Sequence, residues 1–147
     1  LSSAASDVYK RQFHTRDGYG VKALVSNGVN VAVITGRRSA IVENRMKALN
    51  VAHIIQGEEN KADALSDLMK RLELNTDEVA AVGDDMPDTG MYKHVAVKIA
   101  VADAHPYVAK QANWITTLPG GFGAVREISD TILQAKGVAN EIFGASV

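Results

Sequence analysis

Short apolar runs alternate with longer segments of helical spacing along most of the chain. Asn30–Thr35, Val51–Ile55 and Val79–Val82 are such runs, and they predict strands buried on both faces, where apolar residues follow one another without alternation. Val95–Val101 and Trp114–Thr116 predict a fourth and a fifth strand. The chain therefore contains the strands of a small sheet.

The segments between these strands have the periodicity of helices. One helix is predicted from Ile41, Val42, Met46 and Leu49, and a second from Ala62, Leu65, Leu68, Met69 and Leu72. Pro106 opens a helical turn, and Ala124–Ala135 predicts a helix that Gly137 closes. Strands that alternate with helices predict an α/β fold, a doubly wound, Rossmann-like parallel sheet with helices on both faces.

The amino-acid composition limits the kinds of molecule that the chain is expected to bind. The 16 basic and 17 acidic residues give a formal net charge of −1, so no global field favours nucleic acid or an anionic membrane. The absence of cysteine excludes a thiolate zinc site and fits a reducing compartment. No apolar run approaches the roughly 20 residues that span a bilayer. We expect a cytoplasmic domain with no nucleic-acid or membrane partner.

The two ends of the chain differ from its middle. Residues 1–12 show neither helical nor strand periodicity, and Lys10 and Arg11 follow small residues instead of preceding an apolar stretch, unlike a secretory signal. They resemble a vector- or adapter-derived tail, and we expect them to be foreign or disordered, a native flexible tail being the alternative. Residues 13–137 are the predicted domain, and residues 138–147 a C-terminal tail.

Polar side chains follow three of the predicted strands. Thr35 comes after the first strand and Lys61 after the second, and three acids, Asp84, Asp85 and Asp88, come after the third. Because ligands bind at the carboxyl ends of parallel strands, these groups should converge at one edge of the sheet. Clustered carboxylates repel one another unless a cation or a proton relieves them, and their oxygens suit Mg²⁺.

Each of these residues also has a structural explanation. Thr35 could cap the helix that follows it. Lys61 could be a solvated surface lysine, although a cation in the first turn of a helix opposes the helix dipole, and a bound anion would explain it. Asp88 could cap a helix while Asp84 and Asp85 are solvated.

The order of these groups points to a phosphatase family. A hydroxyl and a lysine suit the oxygens of a transferring phosphoryl group. In this chain the hydroxyl of Thr35 comes first, then Lys61, then the acids. This order differs from that of response-regulator receivers and resembles that of the haloacid dehalogenase-like phosphatases. Further motifs carry a closer resemblance to the 3-deoxy-D-manno-octulosonate 8-phosphate phosphatase group: Phe13–Gly20, Ile34–Arg37, Gln56-Gly57 with Lys61, Val82–Asp85, Val101–Pro106 and Gly120–Glu127.

This resemblance implies roles for single residues. Asp84 is expected to bind Mg²⁺, with Asp85 and Asp88 as supporting acids, while Lys61 neutralises the nucleophile and the phosphoryl group and Thr35 donates to a phosphoryl oxygen. A sugar acid phosphate is the implied substrate. The implied substrate-binding residues are His14, Thr15, Arg16, Asp17, Gly18, Lys22, Arg37, Arg45 and Lys61.

The chain departs from the group at the nucleophile. The reaction needs an Asp-x-Asp-Gly segment, and the only look-alike, Asp7-Val-Tyr9, has Tyr9 in place of the second acid. We expect the first strand, and a following hairpin that helps to assemble a homotetramer in this group, to be missing, and the chain as written to be inactive. Alternatives are a phosphatase of a nine-carbon keto-deoxy sugar acid phosphate, the phosphatase-like domain of a sialate-type cytidylyltransferase, and a non-catalytic, oligomer-forming scaffold.

Overall fold

A computed structural model of the protein describes residues 15–138. His14, the tail at residues 1–12 and nearly all of the predicted C-terminal tail lie outside the described residues. The helices are α1 (Thr15–Ser26), α2 (Ala40–Ala48), α3 (Lys61–Arg71), α4 (Thr89–Tyr92), α5 (Pro106–Gln111) and α6 (Ala124–Ala135). The strands are β1 (Ala32–Ile34), β2 (His53–Ile55), β3 (Ala80–Gly83), β4 (Val97–Ala100) and β5 (Trp114–Ile115).

All the strand pairs are parallel, but they form two sheets. Strand β1 pairs with β2, and the second sheet has the order β3-β4-β5. The predicted α/β fold with parallel strands and helices on both faces is confirmed, and within residues 15–138 the strands form two sheets. The sheets are separate because no strand of the described residues lies between β1 and β3.

Helices cover both faces of the strands. In β1, Val33 packs with α1 and α2, whereas the next residue, Ile34, packs with α3. In β3, Ala81 joins the cluster of α3 and α4, and Val82 packs against α6. Alternate strand residues point to opposite faces, so each strand contributes to a core on both sides, as the doubly wound arrangement requires.

Two polar side chains fix where the helices after β1 and β2 begin. Ser39 accepts a hydrogen bond from the Val42 amide at the start of α2, and Asn60 accepts one from the Asp63 amide at the start of α3. These caps satisfy amides that have no partner within the helix. In the described part of the chain, no helix is both long and apolar enough to span a membrane.

Helices α1 and α6 approach closely where Gly20 faces Ser129. A Cβ atom at Gly20 would lie 2.8 Å from Ser129 Oγ and 2.9 Å from Ser129 Cβ. Ser129 is fully buried, and its hydroxyl donates to the Val125 carbonyl, so it has little room to move. The absence of a side chain at position 20 therefore sets the distance between the two helices.

Gly20→Ala should destabilise the protein although alanine favours helices. The gain in helix propensity is about 1 kcal/mol, whereas overpacking costs about 1–3 kcal/mol. We expect a net loss in the free energy of unfolding, measured by urea denaturation. Gly20→Ala/Ser129→Gly should recover stability relative to Ser129→Gly alone, since the clash is gone. Equal effects of Gly20→Ala in the two backgrounds would contradict the close contact.

Candidate active site

A buried ion pair links the start of α3 to the turn after β3. Lys61 Nζ lies 2.8 Å from Asp88 Oδ1, and the two side chains are 4% and 1% exposed. The alternative of a solvated surface lysine is therefore wrong. A buried charge is stable only when it is paired and hydrogen-bonded, so each of these residues requires the other.

The other oxygen of Asp88 organises the turn after β3. Oδ2 accepts hydrogen bonds from the backbone amides of Asp84 (2.9 Å) and Asp85 (3.1 Å). Asp85 is exposed, and its carboxylate accepts from the Met86 amide at 2.8 Å. Asp88 also precedes α4, but its side chain makes no capping bond to that helix. The Asp88 side chain instead accepts hydrogen bonds from the backbone amides of the turn that precedes it.

Gly83, the last residue of β3, leaves space for the Asp88 side chain. A Cβ atom at Gly83 would lie 2.8 Å from Asp88 Cβ and 3.1 Å from the Tyr92 hydroxyl. The buried Tyr92 hydroxyl donates to the Ile99 carbonyl of β4. The last residue of β3 therefore has to be small for Asp88 to pack against the strand.

The charges around Asp88 shift two pKa values. Burial tends to raise the pKa of Asp88, but hydrogen bonding with Asp84 and the charge and hydrogen bond of Lys61 outweigh it and hold this pKa below its ordinary value. Burial, followed by the negative charge of Asp88, raises the pKa of Tyr92 to about 12. Asp88 is therefore an anion and Tyr92 a neutral hydrogen-bond donor at neutral pH.

Thr35 is buried at the carboxyl end of β1. Its hydroxyl oxygen accepts from the Arg37 amide at 3.0 Å, and its own amide donates to the Ile55 carbonyl of β2. Ser39 caps the helix that follows, so the alternative role of Thr35 as its cap is wrong. The Thr35 carbonyl accepts from the Glu58 amide, which ties the end of β1 to the loop leading to Lys61.

Asp84 is the acid best placed for a cation. It is half-buried directly after β3, and its carbonyl accepts from the His105 amide at 2.8 Å. Asp88 is engaged by Lys61 and two amides, and Asp85 caps a turn. Residues 15–138 contain no group of three or more His, Asp or Glu side chains that could hold a metal. These residues fit Mg²⁺ in one respect: this ion commonly binds one or two protein carboxylates and completes its coordination with waters and a substrate phosphate.

The predicted substrate-binding residues fall in two places. Arg37, exposed, lies beside Thr35 in the turn after β1. Gly18 and Arg45 lie together, since a Cβ atom at Gly18 would be 2.6 Å from Arg45 Nη2. The remaining described members on α1 are exposed: Thr15, Arg16 and Lys22.

Asp17 has a different role from the one predicted. It is buried, and its two carboxylate oxygens accept from the Gly123 amide (3.3 Å) and the Arg126 amide (2.9 Å) at the start of α6. A carboxylate at a helix N-terminus satisfies free amides and complements the helix dipole. We therefore assign Asp17 to capping α6 and not to an anionic substrate.

Sequence reasoning missed two further positioning residues. One is Tyr92, whose hydroxyl lies beside Gly83, as the Asp88 side chain does. Asp103 accepts from the Gly120 amide at 2.9 Å and so links the loop after β4 to the turn before α6. Asp103 lies in the Val101–Pro106 motif, but a hydrogen bond to a residue so distant in sequence leaves no local signal.

Comparison with known proteins shows the family of the chain. The family model described as haloacid dehalogenase-like hydrolase matches residues 49–120. The 3-deoxy-D-manno-octulosonate 8-phosphate phosphatase of Escherichia coli K12 is 42% identical over 137 residues, 93% of this chain and 73% of that protein. The chain belongs to this phosphatase family.

Solved structures of the family share the fold. The Moraxella catarrhalis phosphatase in complex with magnesium ion, phosphate ion and KDO is 38% identical, with a TM-score of 0.85 over 88% of this chain and 75% of that one. The cobalt-bound Haemophilus influenzae phosphatase is 37% identical, with a TM-score of 0.87 over 92% of this chain and 79% of that one. Members are named as phosphatases of a sugar acid phosphate, so this is a family of phosphoric monoester hydrolases.

Replacing Asp88 by asparagine should lower the free energy of unfolding and also make it less sensitive to acid pH. Because the pKa of Asp88 lies below its ordinary value of 3.8, the ionised group stabilises the fold above about pH 3.8 and loses this effect as the pH falls through the lower folded-state pKa. At pH 7, Asp88→Asn should cost about 3 kcal/mol or more, since it removes the negative charge that pairs with the buried Lys61 side chain.

Denaturation with urea across the acid range measures both effects. The free energy of unfolding of Asp88→Asn should change less between neutral and acid pH than that of the parent. Asp67→Asn, an exposed change on α3, is the matched control and should behave as the parent does. An Asp88→Asn variant with the parent's stability and pH dependence would exclude the stabilising role of the pair.

Proposed function

We propose that this domain is built for the Mg²⁺-dependent hydrolysis of 3-deoxy-D-manno-octulosonate 8-phosphate to 3-deoxy-D-manno-octulosonate and phosphate, in lipopolysaccharide precursor synthesis in the cytoplasm. One observation carries the proposal. In a chain 42% identical to such a phosphatase, a buried lysine is held at the strand ends where Thr35 and Asp84 also lie. A cation fixed in a dry site is suited to stabilise charge that develops on a phosphoryl group.

The residues at the strand ends have distinct parts in this proposal. Lys61 offsets negative charge on the phosphoryl oxygens, and Asp88 holds the Lys61 side chain in place. The Thr35 hydroxyl donates to a phosphoryl oxygen. Asp84 contributes a carboxylate oxygen to Mg²⁺, which when bound supplies positive charge to the phosphate oxygens.

Basic residues of α1, α2 and the turn after β1 are the positions that we propose for binding an anionic substrate. A sugar acid phosphate carries a carboxylate and a phosphate, and a guanidinium group binds either of them through two parallel hydrogen bonds. Arg37 beside Thr35, and Arg45 against Gly18, are the positions that we assign to these groups. Arg16 and Lys22 on α1 add exposed positive charge.

A nucleophile is the part that the sequence does not supply. The 147 residues contain no pair of aspartates spaced as Asp-x-Asp. Covalent phosphoryl transfer needs a carboxylate nucleophile and an acid/base group, so we propose that this chain by itself does not turn over. The same observation favours a second candidate, a non-catalytic scaffold that assembles into oligomers. Under the phosphatase hypothesis, the protein forms a homotetramer once the segment that carries the nucleophile is present.

Measuring phosphate release from 3-deoxy-D-manno-octulosonate 8-phosphate should distinguish the phosphatase hypothesis from the scaffold hypothesis. With Mg²⁺, the 147-residue chain should remain near the uncatalysed rate, because positioning and charge stabilisation alone do not break the bond. Fusing an upstream segment with an Asp-x-Asp-Gly strand and hairpin from a related phosphatase ahead of Phe13 should restore turnover. A fusion protein that folds and stays inactive would favour the scaffold.

Lys61→Met in the active fusion protein should lower turnover by about 100-fold or more, as the loss of one preorganised donor does. Lys70→Met, an exposed change on the same helix, is the matched control and should leave turnover unchanged. Equal activities of the two variants would remove Lys61 from the proposed chemistry.

Mg²⁺ should bind the 147-residue chain weakly and through Asp84. The described residues offer one well-placed carboxylate, and Mg²⁺ needs further ligands for tight binding. Titration calorimetry should show a weak signal for the parent chain and none for Asp84→Ala. The control is Asp67→Ala, an exposed change on α3. Asp63→Ala is not suitable, because the Asp63 side chain accepts a hydrogen bond from the Asn60 cap of that helix. Equal binding by the Asp84→Ala variant would place the metal elsewhere.

A further inference from the structure

The guanidinium group of Arg38 lies against the loop that follows β2. A Cβ atom at Gly57 would be 2.6 Å from Arg38 Nε, 2.6 Å from Nη2 and 2.7 Å from Cζ. Any side chain at position 57 would therefore displace this group. Gly57 also has a φ angle of +70°, in the left-handed region that glycine adopts without strain. The loop thus has a glycine at the point where Arg38 crosses it.

Hydrogen bonds fix the chain on both sides of Arg38. The carbonyl of Arg37 accepts from the Gly57 amide at 3.3 Å. On the other side, the Gln56 side chain accepts from the Ser39 amide and donates to the Ser39 carbonyl. The two residues that flank Arg38 are therefore bonded to the same loop that its guanidinium group contacts. This arrangement preorganises the side chain, so less conformational entropy is lost when it binds a ligand.

The guanidinium group keeps its hydrogen-bond donors available to a ligand. Within residues 15–138, no acceptor hydrogen-bonds to it and no carboxylate forms an ion pair with it. Arg38 is exposed, and Glu58 of the adjoining loop directs Oε1 to the Asn60 amide at 3.0 Å. A guanidinium group has five N–H donors in a planar arrangement that matches both oxygens of a carboxylate. An anion that reaches these two loops can therefore form two parallel hydrogen bonds with it.

Arg38 lies close in the chain to the residues that we assign to the phosphoryl group, but it is not one of them. Thr35 precedes it in the turn after β1, and Lys61 follows Gly57 at the start of α3. The Thr35 carbonyl accepts from the Glu58 amide, which joins these two segments. The carboxylate of a sugar acid phosphate is at the other end of the carbon chain from the phosphate. It therefore needs a cation of its own at the same edge of the sheet.

We propose that Arg38, placed by Gly57, binds the carboxylate of the sugar acid phosphate and so distinguishes a sugar acid from a neutral sugar. This assignment rests on the proposed function, and it adds a third guanidinium group to those of Arg37 and Arg45. The residues at the strand ends recognise a phosphate whatever group it is attached to, so they give no such distinction. A contact with the carboxylate stabilises only the substrate that has one, and this difference in affinity is specificity.

Binding of 3-deoxy-D-manno-octulosonate itself tests the contact without turnover. This molecule has the carboxylate and no phosphate, and NMR titration of the 147-residue chain measures its dissociation constant. Arg38→Met should weaken binding about tenfold or more, as expected for a charged, hydrogen-bonded pair. Arg38→Lys should recover only part of this loss, because an ammonium group has the charge but not the planar pair of donors. Arg71→Met, an exposed change at the far end of α3, is the matched control and should bind as the parent does.

Gly57→Asn tests whether the glycine acts through Arg38. Asparagine tolerates the left-handed conformation better than most residues, but its side chain would occupy the place of the guanidinium group. It should weaken binding of the sugar acid in the parent and cause no further loss in the Arg38→Met background. Circular dichroism checks that the variants fold. A further loss of about tenfold in that background would show that Gly57 does not position Arg38.

The active fusion protein tests specificity. Arg38→Met should lower kcat/KM for 3-deoxy-D-manno-octulosonate 8-phosphate about tenfold or more, mainly through KM, and leave kcat/KM for p-nitrophenyl phosphate, which has no carboxylate, unchanged. Equal losses for the two substrates would overturn the proposal, as would a sugar acid that binds the parent and Arg38→Met equally or not at all. A fusion protein that folds but stays inactive would contradict the proposed function, whereas the titration would still decide the role of Arg38.

Discussion

The buried Lys61–Asp88 pair is the interaction on which the rest of the structure depends. It joins the half of the domain built from β1 and β2 to the half built from β3, β4 and β5, which share no strand pairing among the described residues. Its two charges would each be costly in the interior alone. Paired, and with the Asp84 and Asp85 amides on the second carboxylate oxygen, they fix the start of α3 against the turn after β3.

This arrangement explains a lysine in an otherwise unfavourable place. A positive charge in the first turn of α3 opposes the helix dipole, so its position reduces helix stability. The cost is offset by Asp88, and the result is an ammonium group held in a dry environment beside the strand ends. A preorganised charge of this kind suits charge stabilisation during phosphoryl transfer, and this is the role that we propose for the pair.

Local sequence patterns predicted most of the elements and the edge at which polar groups converge. The helix Ala124–Ala135 matches its predicted bounds, and Lys61 begins α3 after an Asn60 cap, because periodicity and caps are local properties. The separation into two sheets was not predictable, since strand pairing depends on residues far apart in sequence. The role of Asp17 depends likewise on amides of Gly123 and Arg126, more than 100 positions away.

A double-mutant cycle on the free energy of unfolding tests the central role of the pair most directly. Lys61→Met, Asp88→Asn and the double variant are compared with the parent at pH 7 without Mg²⁺. Each single change should be strongly destabilising, and the double variant should be more stable than the sum of the two losses predicts, by about 2 kcal/mol. Losses that add to within about 0.5 kcal/mol would show that Lys61 and Asp88 do not stabilise the domain through each other.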